Sequence, residues 1–279
     1  MSQVQKRSTN WILFIVLIAV AAFILFPIAV VVMNSFKSRF LISTKPFGLV
    51  DSESFIGLEN YINGINKIHF FKAFLLSLWI TVASVLVILL FTSMLAWYIT
   101  RVKGKVTSII YYILVFSMIV PFQMVMFTMS KLANMLHLDN PIGIILLYAG
   151  FGAGLSTFMF SGFIKSVPLA LEEAAMIDGA NPVQTFFLVV FPMLKSTAIT
   201  IAILNAMWVW NDYLLPYLTI GTEYRTIPVA IQYLRGGYGS VDMGAMMAML
   251  VLAMIPVIVF FLSCQKHIIK GVLSGAVKG

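Results

Sequence analysis

Long apolar runs separated by short polar connections dominate the pattern of this chain. The runs cover residues 11–33, 73–100, 106–130, 141–164, 196–222 and 243–265. Each is long enough to cross a bilayer as a helix, which takes about 20 apolar residues. The first run is too long for the apolar core of a cleaved signal peptide, which has about 7–15 residues. The pattern therefore predicts an all-α polytopic membrane protein with six transmembrane helices in a single domain, residues 1–279.

Lysine and arginine in the connections set the expected orientation. With both termini inside, ten of these residues lie on the inner side and eight on the outer side. Five of the outer eight flank or lie in the long first loop, where the charge rule is weaker. The turn after the second run is short and purely basic, which favours an inner position. We therefore expect an N-in/C-in topology with loops 34–72 and 223–242 outside, and segment 165–195 and tail 266–279 inside.

Composition supports the membrane assignment. The chain is 61% hydrophobic and only 10% charged, whereas a soluble domain carries about 25% charged residues. The formal net charge of +8 is explained by cytoplasmic anchoring of helix ends, so no nucleic-acid partner is expected. Cys264 is the one cysteine and is expected to be a small buried hydrophobe.

The segment 166–192 is too polar for lipid and carries strong signals for two short helices. Ser166 can N-cap the first helix, with Pro168 in its first turn, and Gly179 can end that helix in the left-handed conformation. A cytoplasmic surface helix that packs only against its own bundle and a helix that docks on another protein both fit this pattern.

The second short helix is expected to start at Asn181. Pro182 then occupies its first position, and Gln184 can reach back in a capping-box arrangement. Pro192 is expected to stop it. The segment thus predicts a helix–turn–helix that bends at Gly179.

Several stretches resemble one family. Glu173-Ala174-Ala175, with Asp178-Gly179-Ala180 and then Phe191-Pro192, resembles the EAA motif of the membrane subunits of bacterial ABC importers. Pro121-Phe122-Gln123, the block 210–216 and the end 271–279 resemble the carbohydrate-uptake (CUT1) branch, and within it the smaller six-span maltose-type permeases. The chain departs from the family pattern at Phe191, where leucine is usual, and at Lys195-Ser196, where a further proline is common.

The resemblance implies a type I ABC importer permease fold in the bacterial cell membrane. It also implies a second permease subunit, two ATPase subunits and an extracytoplasmic sugar-binding protein as partners, with a sugar as cargo. ATP and Mg²⁺ would bind to the ATPase, because this chain has no GxxxxGK[ST] phosphate loop. We therefore expect no cofactor and no enzymatic activity in this chain.

Site roles follow from the same resemblance. ATPase coupling is assigned to Glu172, Glu173, Ala174, Ala175, Asp178, Gly179 and Ala180. Insertion between the ATPases is assigned to the C-terminal tail Ser274, Gly275, Ala276, Val277, Lys278 and Gly279, for which a frayed end is the alternative. Contact with the binding protein is assigned to Gly236, Gly237, Tyr238 and Gly239. Local helix capping is an alternative role for Glu172 and Glu173.

Polar side chains within the apolar runs are candidates for the transport pathway. Gln123 follows the kink that is expected at Pro121 and could bond sugar hydroxyls, and Asn205 is a further amide. Asp212 is a charge at membrane depth, which costs about 2.5–3.5 kcal/mol on insertion scales. A structural role, hydrogen-bonded to neighbouring helices, is favoured for Asp212 over contact with substrate.

Three other functions are weighed against the sugar permease. A secondary transporter should show inverted repeats and ion-coupling acids at membrane depth, and one such acid is present without a clear repeat. A glycerol-phosphate permease would need a basic cavity for its anionic cargo, yet the apolar runs contain no lysine or arginine. A purely structural helix bundle leaves the polar segment 166–192 unexplained.

Overall fold

The computed structural model describes residues 11–221, 223–234 and 241–276, with side chains as far as residue 265. Its described residues form helices and their connections, and Lys37 and Phe55 form an isolated antiparallel bridge. The first seven helices are α1 (Trp11–Asn34), α2 (Arg39–Thr44), α3 (Glu59–Ile68), α4 (Phe70–Arg101), α5 (Lys105–Ser117), α6 (Phe122–Met135) and α7 (Gly143–Ile164).

The remaining helices are shorter until the last one. They are α8 (Leu169–Ile177), α9 (Pro182–Thr185), a π-helical turn (Phe186–Val190), α10 (Phe191–Met193), α11 (Lys195–Asn211), α12 (Leu214–Thr219), α13 (Ile227–Gln232) and α14 (Met243–Ala276). The all-α prediction is confirmed. Helix α14 continues beyond Gln265, where we expected the tail to begin, and Cys264 is half-buried.

Four helices are long and apolar enough to cross a membrane: α1, α4, α7 and the Met243–Gln265 part of α14. Two further spans are present if each of two bent helix pairs counts as one. These pairs are α5 with α6, bent by 109°, and Pro182–Met193 with α11, bent by 77°. The described residues thus supply four to six spans, in agreement with a polytopic membrane protein.

The third predicted span is not one straight helix. We expected it over residues 106–130, but α5 ends at Ser117 and α6 starts at Phe122, with Pro121 in an extended conformation at its N-cap. Proline cannot donate a backbone hydrogen bond, and it disfavours a helical conformation in the residue before it. The break at Pro121 therefore replaces the continuous helix.

The fifth predicted span is also interrupted. Helix α11 ends at Asn211, and Asp212 follows in an extended conformation. The Asp212 carboxylate accepts a hydrogen bond at 3.0 Å from the backbone N–H of Leu214, at the start of α12. An aspartate that bonds a backbone two residues ahead favours a turn over a helix, which explains the interruption of residues 196–222.

The chain forms two compact units. One contains residues 1–70 and 231–255, and the other contains residues 71–230 and 256–279. The larger unit has two apolar clusters, one around Phe160, Phe186 and Leu194 and one around Ile144, Tyr148 and Leu215. The first cluster packs residues that precede and follow α8 against each other, and so it supports the α8 segment.

The smaller unit is held together by polar contacts. Lys67 of α3 forms an ion pair with Asp242, whose other carboxylate oxygen accepts the N–H of Ala245 at 3.1 Å. Buried Asn60 donates to the carbonyls of Ser35 and Lys37, each at 2.9 Å. These contacts connect α3 to the loop after α1 and to the start of α14.

Candidate functional site

Helix α8 starts later than the sequence suggested. Pro168, with ψ of 128°, is the N-cap residue, and the helix begins at Leu169. Ser166 does not cap it, because its hydroxyl donates at 2.7 Å to the carbonyl of Phe163, at the end of α7. The prediction of an N-cap at Ser166 is therefore wrong, since this side chain closes the preceding helix.

The end of α8 at Gly179 is confirmed. Gly179 has φ of +89°, its N–H donates to Met176 at 3.1 Å, and the N–H of Ala180 donates to Ala175 at 2.9 Å. These two bonds form a Schellman motif, which needs a residue in the left-handed conformation at this point. A Cβ on Gly179 would meet no atom within 4 Å, so only the backbone conformation makes glycine preferable here.

The capping box at Asn181 is also confirmed. The Asn181 side chain accepts from the N–H of Gln184, and the Gln184 side chain accepts from the N–H of Asn181, each at 2.9 Å. Pro182 occupies the first helical position. The turn between α8 and α9 is thus specified by local bonds on both sides.

Pro192 does not stop the second helix. The chain widens into the π-helical turn, in which the N–H of Phe191 donates to Phe186 five residues back. Pro192 has no N–H, so a regular α-helix would leave a carbonyl without its donor at this position. The helix continues to Met193 and bends by 77° into α11, which corrects the predicted end.

The side chain of Glu172, on the inner face of α8, is held in a buried clamp. Arg101, the last residue of α4, donates from Nε at 2.9 Å and from Nη2 at 2.7 Å to Oε1 of Glu172. Trp97 Nε1 donates to Oε2 at 2.9 Å. The Glu172 side chain is only 2% exposed and that of Arg101 20%. Arg101 Nη2 also donates to the carbonyl of Val167 at 3.0 Å.

The clamp changes the role expected of Glu172. Three charge-assisted or indole donors occupy its two carboxylate oxygens, and burial keeps the side chain away from any protein that approaches α8. We expected Glu172 at an ATPase interface, and its burial contradicts that placement. Arg101 and Trp97 are functional candidates that the sequence did not reveal, because 71 residues or more separate them from Glu172.

The opposite face of α8 is uncovered by the described part of this chain. Glu173, Ala174, Asp178 and Gly179 are exposed, while Ala175 and Ala180 are partly buried. Exposed apolar side chains accompany them: Leu169, Leu171, Met176, Ile177 and Val183, of which Ile177 is 85% exposed. The structure therefore separates α8 into a clamped inner face and a free outer face.

Aromatic packing extends the clamp into the larger unit. The ring centroid of Trp97 lies 5.5 Å from that of Phe186 in the π-helical turn, and Phe186 lies 5.8 Å from Phe191. Phe186 belongs to the same apolar cluster as Ala96 of α4 and Ile164 of α7. The ends of α4 and α7 and the start of α11 are thus packed together around the α8 segment.

The candidate pathway residues do not converge on one cavity. Asn205 is buried and donates to Ser156 at 3.2 Å and to the Ile201 carbonyl at 2.9 Å, so it serves helix packing. Asp212 accepts at 3.0 Å from the hydroxyl of buried Tyr148, which fits the favoured structural role. Gln123 is exposed near the start of α6.

Two predicted contact regions lie mostly outside the described residues. The glycine-rich stretch Gly236, Gly237, Tyr238 and Gly239 falls there entirely, as do Val277, Lys278 and Gly279. Only the helical backbone of Ser274, Gly275 and Ala276 is described, at the end of α14. Their assigned contacts remain predictions.

Comparison with known proteins gives the family. Residues 88–274 match the family of the binding-protein-dependent transport system inner membrane component. The chain is 36% identical over 253 residues to the probable starch degradation products transport system permease protein AmyC of Thermoanaerobacterium thermosulfurigenes, covering 90% of this chain and 91% of that protein. It is 37% identical over 264 residues to the multiple sugar-binding transport system permease protein MsmG of Streptococcus mutans, covering 91% and 92%.

A solved structure shares the fold. The chain aligns with a TM-score of 0.75 and 22% identity to a chain of a bacterial ABC transporter involved in the import of the acidic polysaccharide alginate, covering 95% of this chain and 99% of the other. The length of the match agrees with the near-complete coverage of the sequence relatives. This chain belongs to the family of binding-protein-dependent transport system inner membrane components and is a multi-pass membrane permease of an ABC importer.

Proposed function

We propose that this permease carries a neutral sugar or oligosaccharide and that α8 receives the motion of a separate ATPase. The partners would be a second permease, two ATPase subunits that hold ATP and Mg²⁺, and an extracytoplasmic sugar-binding protein. The names of the relatives support a sugar cargo, since they include starch degradation products and melibiose, raffinose and stachyose. The absence of lysine and arginine from the six apolar runs favours this cargo over a phosphorylated one.

One observation carries the coupling role: α8 is anchored on one face and free on the other. A docking helix must present contact surface to its partner and must also pass force to the membrane helices. The exposed apolar side chains around Ile177, with Glu173 beside them, supply the contact surface. The Glu172–Arg101 ion pair supplies the connection to α4.

Force applied to α8 would reach the membrane helices by two routes. The first runs through Glu172 and Arg101 to the end of α4. The second runs through the Gly179 turn into α9, the π-helical turn and α11. The turn between α8 and α9 is fixed by the backbone bonds at Gly179 and Ala180 and by the Asn181–Gln184 capping box, so it can pass a displacement of α8 on to α9.

Docking is tested by cross-linking in the assembled transporter. In a Cys264→Ser background, a cysteine at Ile177 is treated with a short thiol-reactive photo-cross-linker. We expect a product that contains this chain and an ATPase subunit. A cysteine at Glu53, which is exposed in the loop after α1, is the matched control and should give no such product. Equal yields at the two positions, or none at Ile177, would contradict docking through α8.

The cargo is tested by uptake in a strain that lacks this gene and in the complemented strain. Labelled maltodextrins, raffinose-type oligosaccharides and glycerol 3-phosphate are supplied separately. We expect complementation to restore uptake of at least one neutral sugar and to leave glycerol 3-phosphate uptake unchanged. Restored glycerol 3-phosphate uptake without any sugar uptake would overturn the proposed cargo and leave the coupling proposal intact.

A further inference from the structure

The loop after α1 folds back along the helix that it leaves. Phe47 stacks on Phe26 of α1, with ring centroids 6.2 Å apart and planes 19° from parallel. Phe26 lies eight residues before Asn34, the last residue of α1, and at 1.5 Å per residue this separation is about 12 Å along the helix axis. The side chain of Phe47 therefore reaches back along α1, well short of its last residue.

This depth places the ring of Phe47 at the level of hydrocarbon. The apolar run 11–33 has 23 residues and a helical length of about 35 Å, whereas the hydrocarbon core is about 30 Å thick. Centring this run would put Met33 roughly 2 Å outside the core and Phe26 roughly 8 Å inside it. In α-helices long side chains lean toward the N-terminus, which would carry the stacked ring of Phe47 further inward.

The backbone that carries Phe47 lies beside the end of α1, where Lys37 supplies hydrogen-bond donors to it. The Lys37 side chain is buried, with the residue only 1% exposed. Its ammonium group donates to the carbonyl of Lys45 at 3.2 Å and to the carbonyl of Gly48. Asn34 donates at 2.9 Å to the carbonyl of Pro46, which lies between them. Three of four successive carbonyls are thus satisfied from the end of α1.

These bonds matter because a carbonyl without a partner is strongly unfavourable beside hydrocarbon. A buried ammonium is equally costly unless it is hydrogen-bonded, and within the described residues no carboxylate pairs with Lys37. The loop and the lysine therefore stabilise each other. Lys37 is best understood as a clamp for the returning backbone of residues 45–48.

The outward side chains of the loop suit a bilayer surface. Phe40, Phe47 and Leu49 are strongly exposed, and Leu49 is 85% exposed. Arg39 and Lys45 are exposed beside them. Aromatic and aliphatic side chains that point into acyl chains, with basic side chains at headgroup level, are typical of segments that lie in a membrane interface.

We propose that this loop dips the side chains of Phe47 and Leu49 into the hydrocarbon of the leaflet at the C-terminal end of α1, where lipid acyl chains cover them, and that Lys37 holds the dip in place. The proposal is independent of the cargo and of the coupling role. A second protein subunit on the same surface is the competing occupant, and the test separates the two.

The test uses a nitroxide label on Leu49→Cys, in a Cys264→Ser background, with the assembled transporter in phosphatidylethanolamine and phosphatidylglycerol vesicles. We expect collisions with oxygen, which concentrates in hydrocarbon, to exceed those with a water-soluble nickel chelate by about tenfold. A label on Glu53→Cys should show the reverse preference. Preference for the chelate at Leu49 would overturn the dip, and protection from both reagents would assign the surface to a protein neighbour instead.

The role of Lys37 in holding the loop is tested with the same label after Lys37→Met. Loss of the ammonium leaves the carbonyls of Lys45 and Gly48 without this donor, so the label should lose most of its preference for oxygen. Lys45→Met is the matched control, because it removes a neighbouring exposed charge but keeps the backbone carbonyl that Lys37 binds. An unchanged preference after Lys37→Met, or an equal loss in both variants, would overturn the role of Lys37.

Discussion

Arg101 and Glu172 form a buried ion pair between the end of α4 and the inner face of α8, with two hydrogen bonds of 2.9 and 2.7 Å to one carboxylate oxygen. The pair joins a membrane-spanning helix to a nine-residue helix in the connection that follows α7. It offers a direct route by which displacement of α8 can reach the membrane helices. This route does not require Glu172 to contact a partner.

Loss of one partner of this pair should be more harmful than loss of both. Glu172→Leu leaves the Arg101 guanidinium beneath α8 with only the Val167 carbonyl, and breaking a buried pair in this way typically costs about 3–5 kcal/mol. Arg101→Met together with Glu172→Leu leaves no orphan charge and should recover part of that loss. Thermal unfolding of the purified transporter measures the difference.

The same variants separate a positioning role from a merely stabilising one. We expect the double variant to hydrolyse ATP but to import less sugar per ATP than the unmodified permease, because α8 has lost its connection to α4. If the double variant recovers stability and also transports with normal stoichiometry, the ion pair is not a route for coupling.

Gly179→Ala should weaken the α8 turn through backbone conformation alone. Gly179 has φ of +89°, and a residue with a Cβ pays roughly 1–2 kcal/mol in the left-handed region. Gly162→Ala is the matched control, since a Cβ at either glycine would meet no atom within 4 Å and only Gly179 has positive φ. The ratio of sugar uptake to ATP hydrolysis should fall for Gly179→Ala, and an equal effect of the two variants would contradict this account.

Asp212 should prove structural. The Tyr148 hydroxyl and the N–H of Leu214 now bond different oxygens of the Asp212 carboxylate, at 3.0 Å each. Asp212→Asn keeps one oxygen, which can accept from Leu214, and its NH2 group can donate to the Tyr148 hydroxyl, which is also an acceptor. Asp212→Leu removes both acceptors, and a buried donor left without a partner costs about 1–3 kcal/mol. We expect Asp212→Leu to lower thermal stability and Asp212→Asn to leave it nearly unchanged. A large rise in the transport KM for Asp212→Asn, without loss of stability, would instead place Asp212 in the pathway.

The Lys67–Asp242 contact should make the stability of the protein depend slightly on pH in the acid range. Partial burial acts to raise the pKa of Asp242, but hydrogen bonds from Lys67 and Ala245, with the charges of Lys67 and Arg39, together lower it. A lowered carboxyl pKa contributes stability above the unfolded pKa of about 3.9, and this contribution is lost as pH falls through the lower folded value.

The contribution of Asp242 should therefore be constant from pH 5 to pH 8 and disappear below about pH 4. Asp242→Asn keeps a capping side chain for α14 but loses the ion pair, at a cost of about 0–1 kcal/mol, and Asp242→Ala also loses the cap, for about 1 kcal/mol more. Thermal unfolding across this pH range measures both effects. A pH-dependent difference between Asp242 and Asp242→Asn centred near neutral pH would contradict the assignment.

Local signals explain what the sequence could predict. The apolar runs gave the long helices, and the turn at Gly179 and the capping box at Asn181 depend on residues within three or four positions of each other. The kink expected at Pro121 is a full break of 109° between two helices, which the sequence did not show because the apolar pattern continues on both sides of the proline. Pro192 was misjudged because a π-helical turn accommodates a residue without an N–H.

Contacts between residues far apart in the chain explain what the sequence could not predict. The charge pattern placed Arg101 and Glu172 on the same side of the membrane, but nothing within either segment indicates that they meet. Glu172 and Glu173 are adjacent and chemically alike, yet the helix turns one inward to Arg101 and the other outward. The register of α8 on α4, which decides between them, depends on packing around Trp97 and Phe186.

The most direct measurement is the ratio of sugar imported to ATP hydrolysed by the reconstituted transporter with Glu173→Lys. Glu173 lies on the free face of α8 and Glu172 on the clamped face, so this change should leave membrane insertion and thermal stability of the permease unchanged. Glu53→Lys, an equal charge change in the loop after α1, is the control. We expect the ratio to fall at least tenfold for Glu173→Lys and to stay normal for Glu53→Lys; a normal ratio for Glu173→Lys would contradict coupling through the free face of α8.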